Sequence, residues 1–201
     1  LDKLKTEFVS TVSHELRTPL SITKEGISLV IDKIPGKINE KQEKILVTAR
    51  DNIDRLARII NELLDISKIE SGRVTLKRGQ VDILDIVKRT VFSFEGKIKE
   101  HGLKIKTNLP AKGIDVYVDE DKVIQIFTNL LGNALKFTRK GFIEVSVVDS
   151  KEVVECSVSD TGSGIANEDI PKLFSKFQQF GRTAGAGEKG TGLGLSIAKS
   201  L

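Results

Sequence analysis

The stretch Asn129-Leu130-Leu131-Gly132-Asn133-Ala134-Leu135-Lys136-Phe137 decides the fold, because it carries a broad apolar face and a narrow polar face at helical spacing. The helix around it is predicted to begin at Asp119, a residue type that caps helix N-termini, and to end near Arg139. Its apolar face predicts packing into a core and comprises Val123, Ile126, Phe127, Leu130, Leu131 and Ala134.

The polar face of this helix places two asparagines one turn apart, Asn129 and Asn133, with Lys136 following. An asparagine oxygen is a neutral ligand for Mg²⁺, and a lysine supplies positive charge beside phosphate oxygens. The stripe therefore indicates a site for a metal and a triphosphate. An ordinary solvated helix face has the same pattern, so the stripe alone leaves both interpretations open.

Two glycine-rich stretches further along the chain favour the nucleotide interpretation. Asp160-Thr161-Gly162-Ser163-Gly164-Ile165 follows a predicted strand, where a carboxylate can accept a hydrogen bond from an adenine amino group and glycines allow a tight turn. Gly190-Thr191-Gly192-Leu193-Gly194-Leu195 opens a helix predicted from near Gly192, and the N–H groups of a helix N-terminus bind phosphates. The second stretch is not a P-loop, because no Gly-Lys-Ser/Thr follows it, and it is not a convincing Rossmann turn, because no strand directly precedes it.

Between the two glycine-rich stretches, three phenylalanines precede a run of small residues. Phe174, Phe177 and Phe180 are followed by Gly181-Arg182-Thr183-Ala184-Gly185-Ala186-Gly187. This pattern predicts a lid that orders over a nucleotide and hinges on the phenylalanines. Simple core packing of the aromatic rings fits as well.

The remaining pattern after residue 72 is mixed α/β. A helix is predicted over residues 82–101, where Gly102 ends it. Alternating apolar and polar residues predict strands over residues 74–76, 103–107, 115–118, 142–148 and 153–159.

The first seventy residues differ, because apolar residues recur there at helical spacing with a single break at Pro35-Gly36. The pattern predicts two long helices joined by a short loop, the second running from about Asn39 to Ser71-Gly72. Two helices bury little surface by themselves, so we expect two hairpins to meet in a homodimeric four-helix bundle.

The first helix contains Ser13-His14-Glu15-Leu16-Arg17-Thr18-Pro19-Leu20, in which His14 falls opposite the apolar stripe. An exposed histidine usually has no chemical role, but three neighbours favour one here. Glu15 can orient the ring or accept its proton, Thr18 lies one turn further on the same face, and Pro19 removes a helix hydrogen bond. A proline inside a helix costs about 3 kcal/mol, which favours a functional reason for a bend at this place.

Composition limits the other possibilities. Apolar residues make up 39% of the 201 residues, and no stretch reaches the length of a membrane span. The net charge of +4 comes from interleaved basic and acidic residues, so a solvated mixed surface is favoured over nucleic-acid binding. The single Cys156 lies in a strand pattern and predicts a buried, inert thiol in a reducing compartment. Because the sequence contains no methionine, we expect it to be a fragment of a longer protein.

Taken together, these motifs resemble the catalytic core of the bacterial-type sensor histidine kinases of two-component systems. Residues 13–20 match the phospho-acceptor box, residues 129–137 the N box and residues 160–165 the first glycine box. Phe174 and Phe177 match the F box, and residues 190–195 the second glycine box. The match covers nearly the whole chain in the family order.

The resemblance implies an α+β protein: an N-terminal helical hairpin that forms a dimeric four-helix bundle, then a Bergerat-type α/β sandwich that binds ATP. We place the dimerisation and phosphotransfer domain at residues 1–71 and the ATP-binding domain at residues 72–201. The family's ATP-binding domain usually continues beyond the second glycine box, so we expect it to be incomplete at Leu201.

By this resemblance His14 is phosphorylated, Glu15 is the general base, and Thr18 orients the hydrolytic water in members that are also phosphatases. Asn133 would bind Mg²⁺, with Asn129 and Lys136 near the phosphates. Asp160 would bind adenine. The remaining nucleotide-site residues would shape the pocket: Gly162, Gly164, Gly190, Thr191, Gly192, Leu193 and Gly194. Many members carry an arginine shortly after the second F-box phenylalanine, and Arg182 is the candidate here.

The implied reaction is autophosphorylation of His14 from ATP, followed by transfer to an aspartate on a response-regulator receiver domain. The implied location is cytoplasmic, as part of a parent that can be membrane-bound, with no membrane contact by this fragment. Two alternatives remain open: a different ATPase with the same nucleotide fold, such as those of chaperones, mismatch repair or topoisomerases, and a non-catalytic scaffold. The histidine motif argues against the first, and the intact His14, Asn133 and Asp160 argue against the second.

Overall fold

Two long antiparallel helices form the first of two units into which the chain divides, Leu1–Val74 and Thr75–Leu201. The computed structural model describes residues 2–150, 152–180 and 190–201, apart from the side chains of residues 2–7 and 10. Helix α1 spans Asp2–Ile31 and helix α2 spans Glu40–Glu70, which confirms the predicted helical hairpin.

Local hydrogen bonds set the turn between these helices. The side chain of Asn39 accepts from the N–H of Gln42 at 2.9 Å, and the side chain of Gln42 accepts from the N–H of Asn39 at 2.9 Å. This reciprocal capping box fixes the first turn of α2. The preceding loop contains Lys33 and Gly36, both with positive φ.

Apolar side chains of the hairpin are partly buried and partly exposed. Ile60, Leu64 and Ile66 of α2 are buried. A second set is exposed on both helices: Phe8, Val12, Leu16, Ile22, Leu29, Ile45, Leu56 and Leu63. Phe8 and Ile45 are each 68% exposed, so the hairpin displays considerable apolar surface.

The second unit has an α/β fold whose described strands form two small sheets. Strand β1 (Gly79–Asp82) pairs antiparallel with β3 (Asp115–Val118). Strand β4 (Phe142–Asp149) lies between β2 (Lys104–Asn108), which is parallel to it, and β5 (Val154–Asp160), which is antiparallel. The helices of this unit are α3 (Ile83–Glu100), α4 (Glu120–Phe137) and α5 (Gly194–Ser200), with a 3-10 turn at Ile170–Lys172.

The core of this unit lies between the β4 sheet and helices α3 and α4. Alternate residues of β4 are buried, which gives the sheet one apolar face: Ile143, Val145 and Val147. Helices α3 and α4 cover that face with residues that include Leu84, Val87, Phe127 and Leu131. The apolar face predicted for α4 is therefore the face that packs on the sheet, and the helix-plus-sheet fold class is confirmed.

Some predicted boundaries are wrong. Residues 74–76 form no strand, and the strand that pairs with β3 begins later, at Gly79. The N–H of Lys77 bonds the carboxylate of Asp119 instead of a neighbouring strand. Helix α4 ends at Phe137 rather than Arg139, and α5 begins at Gly194 rather than near Gly192, where φ is +75°.

Cys156 lies on β5 and is half-buried, less enclosed than the sequence predicted. Burial raises the pKa of its thiol above the ordinary value. A raised pKa keeps the thiol protonated, which agrees with the predicted unreactive cysteine.

Asp119 is the buried N-cap of α4 and joins two parts of the second unit. Its Oδ2 accepts from the N–H of Lys77 at 2.6 Å, and its Oδ1 accepts from the N–H of Lys122 at 3.1 Å. The hydrogen bond from Lys77 is the largest contribution that holds the pKa of Asp119 below its ordinary value. The carboxylate therefore ties the segment before β1 to the start of α4.

We expect Asp119→Asn to destabilise the ATP-binding unit at neutral pH and to matter less in acid. A lowered native pKa adds stability above the unfolded-state pKa, and this stability is lost as the pH falls through the native value. The difference in urea midpoint between wild type and variant should therefore be largest near pH 7 and narrow below about pH 4. A difference that stays constant across this range would contradict a role for the ionised carboxylate.

Candidate functional site

The histidine singled out by the sequence lies on the exposed side of α1. His14 and its neighbours Glu15 and Thr18 are all exposed. The preceding Ser13 is buried, and its hydroxyl donates to the carbonyl of Val9 at 2.6 Å. In the described residues no hydrogen bond or ion pair engages the imidazole of His14 or the carboxyl of Glu15. The ring is therefore open to an incoming group, and the predicted role of Glu15 stays a prediction.

Helix α1 continues through Pro19, although proline has no N–H to donate. One turn later, the hydroxyl of Thr23 donates to the carbonyl of Pro19 at 2.7 Å. The helix below His14 thus lacks one backbone hydrogen bond and gains a side-chain bond close by. Both features locally weaken the regular helix without ending it.

A groove between α1 and α2 lies within one turn of His14. Arg17 donates to Oδ1 of Asn61 at 3.0 Å, and Lys24 pairs with Asp54 at 2.6 Å. The cavity between these contacts has a volume of about 190 Å³, with Leu20, Ser21 and Ala57 among its lining residues. The groove therefore has polar rims and an apolar floor next to the histidine.

The polar stripe predicted on α4 is partly engaged in the structure. Asn133 is half-buried, and in the described part of the chain its amide has no hydrogen-bond partner. Asn129 instead donates from Nδ2 to the carbonyl of Gly194 at 3.1 Å. The side chain of Lys136 reaches the second glycine-rich stretch, since a Cβ atom on Gly190 would lie 2.9 Å from its Nζ.

The first glycine-rich stretch is built around the carboxylate of Asp160. Its Oδ1 accepts from the N–H of Gly162 at 2.8 Å and from the hydroxyl of Thr138 at 3.4 Å. A Cβ atom on Gly162 would lie 2.6 Å from that oxygen and 2.7 Å from the carbonyl oxygen of Phe137, so only glycine fits. Within the described residues nothing donates to Oδ2 of Asp160. One carboxylate oxygen is thus fixed and the other is open.

Thr161 fastens the same loop to β4. Its hydroxyl accepts from the N–H of Phe142 at 3.0 Å and donates toward the carbonyl of Lys140 at 3.1 Å. Gly141 lies against this hydroxyl with no space for a Cβ atom. Gly164 has a φ of +68° and continues the turn.

The second glycine-rich stretch is held by hydrogen bonds from the phenylalanine segment. The N–H of Phe177 donates to the carbonyl of Gly192 at 3.0 Å, and Nε2 of Gln179 donates to the carbonyl of Gly190 at 2.7 Å. Gly192 combines a φ of +75° with backbone atoms of residues 177 and 178 closer than a Cβ atom allows. This stretch therefore depends on glycine both for its conformation and for its packing.

The structure brings together most of the residues that the sequence singled out in the second unit. Asn129 and Lys136 both contact the second glycine-rich stretch. Within that stretch Leu193 is buried, and its N–H donates to the hydroxyl of Thr191 at 3.2 Å. Arg182 and the predicted lid, residues 181–187, lie outside the described residues.

Sequence reasoning missed two side chains that hold this site, Thr138 and Gln179. Thr138 directly follows the polar-striped helix, and Gln179 lies two residues after Phe177, the second F-box phenylalanine. Position next to the motifs is the only signal that could have found them, because a single threonine or glutamine has no diagnostic spacing.

Two family models match the chain. Residues 4–72 match the His Kinase A (phospho-acceptor) domain, and residues 118–201 match the histidine kinase-, DNA gyrase B- and HSP90-like ATPase. Together the two matched regions cover about three quarters of the chain.

Curated relatives align with nearly the whole chain. Two-component system protein A of Emericella nidulans is 35% identical over 207 residues, which cover 99% of this chain and 30% of that protein. Sensor histidine kinase WalK of Bacillus subtilis is 32% identical over 206 residues, which cover 100% of this chain and 33% of that protein. The chain therefore spans about a third of the length of these curated relatives.

Solved structures agree in fold. The full-length ShkA structure in complex with AMPPNP has a TM-score of 0.77 at 27% identity, over 96% of this chain and 40% of that one. Histidine kinase ThkA in complex with response regulator protein TrrA has a TM-score of 0.59 at 26% identity, over 86% of this chain and 50% of that one.

Proposed function

Because the chain belongs to the sensor histidine kinases of two-component systems, we propose that it transfers the γ-phosphoryl group of ATP to His14 and then to a response-regulator aspartate. The observation that carries this proposal is the exposed, unpartnered imidazole of His14 on the hairpin. A nucleophile for phosphoryl transfer must be accessible and free of hydrogen bonds that occupy its attacking nitrogen.

The proposed step exchanges one P–O bond for one P–N bond and moves one proton. A neutral ring nitrogen of His14 attacks the γ-phosphorus, the bond to the oxygen that bridges the β- and γ-phosphates breaks, and ADP leaves with that oxygen. The proton on the other ring nitrogen goes to the carboxylate of Glu15. The attacking nitrogen must be unprotonated, so a neighbouring carboxylate that orients and then accepts the proton of the other ring nitrogen supports the reaction.

We assign nucleotide binding to the site on α4 and the two glycine-rich stretches. Asp160 accepts a hydrogen bond from the adenine amino group through the open Oδ2, and Gly162 and Gly164 shape the loop around it. Five residues of the second stretch shape the phosphate side: Gly190, Thr191, Gly192, Leu193 and Gly194. Lys136 and Asn129, about two turns apart on the polar face of α4, lie on this side too. Arg182 is the candidate for a further cationic contact.

The residues present fit a magnesium ion. Asn133 offers an amide oxygen with no partner among the described residues, on the same helix face as Lys136. When bound there, Mg²⁺ would neutralise charge on the transferring phosphate oxygens. Asn133 is thus assigned as the metal ligand, while Lys136 adds a fixed positive charge at the phosphates.

We assign residues 1–71 to dimerisation and phosphotransfer and residues 72–201 to ATP binding. The exposed apolar side chains of both hairpin helices support a homodimer, because a second hairpin would cover them. Two of them, Leu56 and Leu63, lie seven residues apart on α2, the heptad spacing at which helices pack in bundles.

We propose that the receiver domain of a response regulator docks on the groove below His14. This groove offers charged rims at Arg17, Lys24 and Asp54 around an apolar floor. Thr18 lies on the same side of α1 as His14, where it can orient the water of a phosphatase reaction. Since ATP is the donor, we place the reaction in the cytoplasm. In the part of the chain that the structure describes, no helix has the length and apolar character of a membrane span.

The test compares ATP radiolabelled at the γ-phosphate with ATP radiolabelled at the α-phosphate. A histidine kinase retains the first label on the protein and not the second, with a bond that acid cleaves and alkali spares. An ATPase of the gyrase or chaperone kind would release phosphate and leave the protein unlabelled. Release without retention would contradict the proposal.

A further inference from the structure

Thr138 is buried at the C-terminal end of α4, and only 4% of its surface is exposed. Its backbone N–H caps the helix by donating to the carbonyl of Ala134 at 3.0 Å, and any residue except proline could do this. A buried hydroxyl is costly unless it forms a hydrogen bond. The hydroxyl here donates to Oδ1 of Asp160 at 3.4 Å, so the side chain is matched to that carboxylate.

We propose that Thr138 is a positioning residue that orients Asp160 for adenine and thereby sets the choice of purine. This inference rests on the proposed ATP site. Thr138 and the N–H of Gly162 both donate to Oδ1, and neither reaches Oδ2. Two donors on one oxygen fix the plane of the carboxylate and leave the second oxygen as the acceptor for an incoming group.

The surroundings allow the loop itself little adjustment. Gly162 lies against both Oδ1 of Asp160 and the carbonyl oxygen of Phe137, so the loop packs directly on the end of α4. Thr138 is the next residue after Phe137 and donates from that same helix end. The carboxylate is therefore held between the helix that bears Asn133 and the loop that bears Gly162.

The chemistry of the purines makes this orientation a specificity device. Adenine carries an amino group at its 6-position, which can donate to Oδ2, whereas guanine carries a carbonyl oxygen there, which a carboxylate repels. If the carboxylate could rotate, its hydrogen bond to the adenine amino group would be weaker, and so would its repulsion of the guanine carbonyl oxygen. Without the hydroxyl of Thr138, binding should weaken only for purines with the amino group.

The experiment measures affinity for ATP and for purine riboside triphosphate, which lacks the 6-amino group, by calorimetry. Thr138→Val removes the hydroxyl and keeps the shape and the N–H, while Thr138→Ser keeps the hydroxyl. We expect Thr138→Val to weaken ATP binding about 3- to 10-fold, the worth of one hydrogen bond, and to leave the analogue unchanged. Thr138→Ser should restore ATP binding, and thermal unfolding of each variant checks the fold.

The outcomes separate this inference from the proposed function. An equal loss for both nucleotides in Thr138→Val, or no loss for ATP, would overturn the role of Thr138 while the wild type still binds ATP. A wild-type protein that binds ATP no better than the analogue would overturn the assignment of Asp160, and with it the basis of this inference.

Discussion

Replacing His14 with alanine is expected to abolish phosphorylation of the protein by ATP while nucleotide binding stays unchanged. The imidazole is the proposed nucleophile, and removing a nucleophile lowers the rate by about a thousand-fold or more. His14 is exposed and lies on α1 in the first unit, whereas the proposed nucleotide residues all lie in the second. Alanine also favours helix, so the variant should fold. Retained label from the γ-phosphate and calorimetric affinity for ATP are the two measurements.

The chain offers a matched control, because its only other histidine is His101. That residue is the C-cap of α3, and its Nδ1 lies 2.7 Å from the carbonyl of Lys97. His101→Ala should be labelled as fast as wild type. Label that persists in His14→Ala, or that disappears in His101→Ala alone, would contradict the assignment of the acceptor.

Replacing Asn133 with alanine is expected to give the second largest loss, a fall of about 100- to 1,000-fold in the rate of phosphorylation. Asn133 is half-buried on α4 and its amide has no hydrogen-bond partner among the described residues, so the substitution breaks no hydrogen bond of the described fold. The rate should fall because the variant lacks the side chain proposed to hold Mg²⁺ at the nucleotide. Titration of the rate with Mg²⁺ at fixed ATP should show a much weaker metal dependence in the variant.

Asn108→Ala is the control for this substitution, since Asn108 is an exposed asparagine at the end of β2 in the same unit. It should keep the wild-type rate and metal dependence. If Asn133→Ala keeps both the rate and the Mg²⁺ dependence of wild type, Asn133 does not bind the metal, and the polar stripe of α4 is an ordinary solvated face.

The hairpin and α4 could be predicted from sequence because their signals are local. Helical spacing of apolar residues and the break at Pro35-Gly36 define the two long helices. Asp119 defines the start of α4 through capping, which depends on only the next few residues. The motif residues could also be found, because glycines and paired asparagines carry their chemistry in their spacing.

The contacts that assemble the site could not be predicted, because they join residues far apart in the chain. The bond from Asn129 to Gly194 spans 65 residues, and the bond from Thr138 to Asp160 spans 22. Strand β1 was missed for the same reason, since its partner β3 lies beyond α3. The N–H of Lys77, two residues before β1, donates to the carboxylate of Asp119 instead of to a strand. This hydrogen bond joins residues 42 positions apart, so nothing in the local sequence indicates it.

The most direct test of the central claim is mass spectrometry of the protein after reaction with ATP and digestion with trypsin at alkaline pH. Cleavage after Lys5 and Arg17 releases residues 6–17, which contain His14 and no other histidine. We predict that this peptide gains the mass of one phosphoryl group, fragments with the group on His14, and loses it on brief exposure to acid. A phosphoryl group on any other residue, or a peptide that stays unmodified while ATP is consumed, would contradict the account.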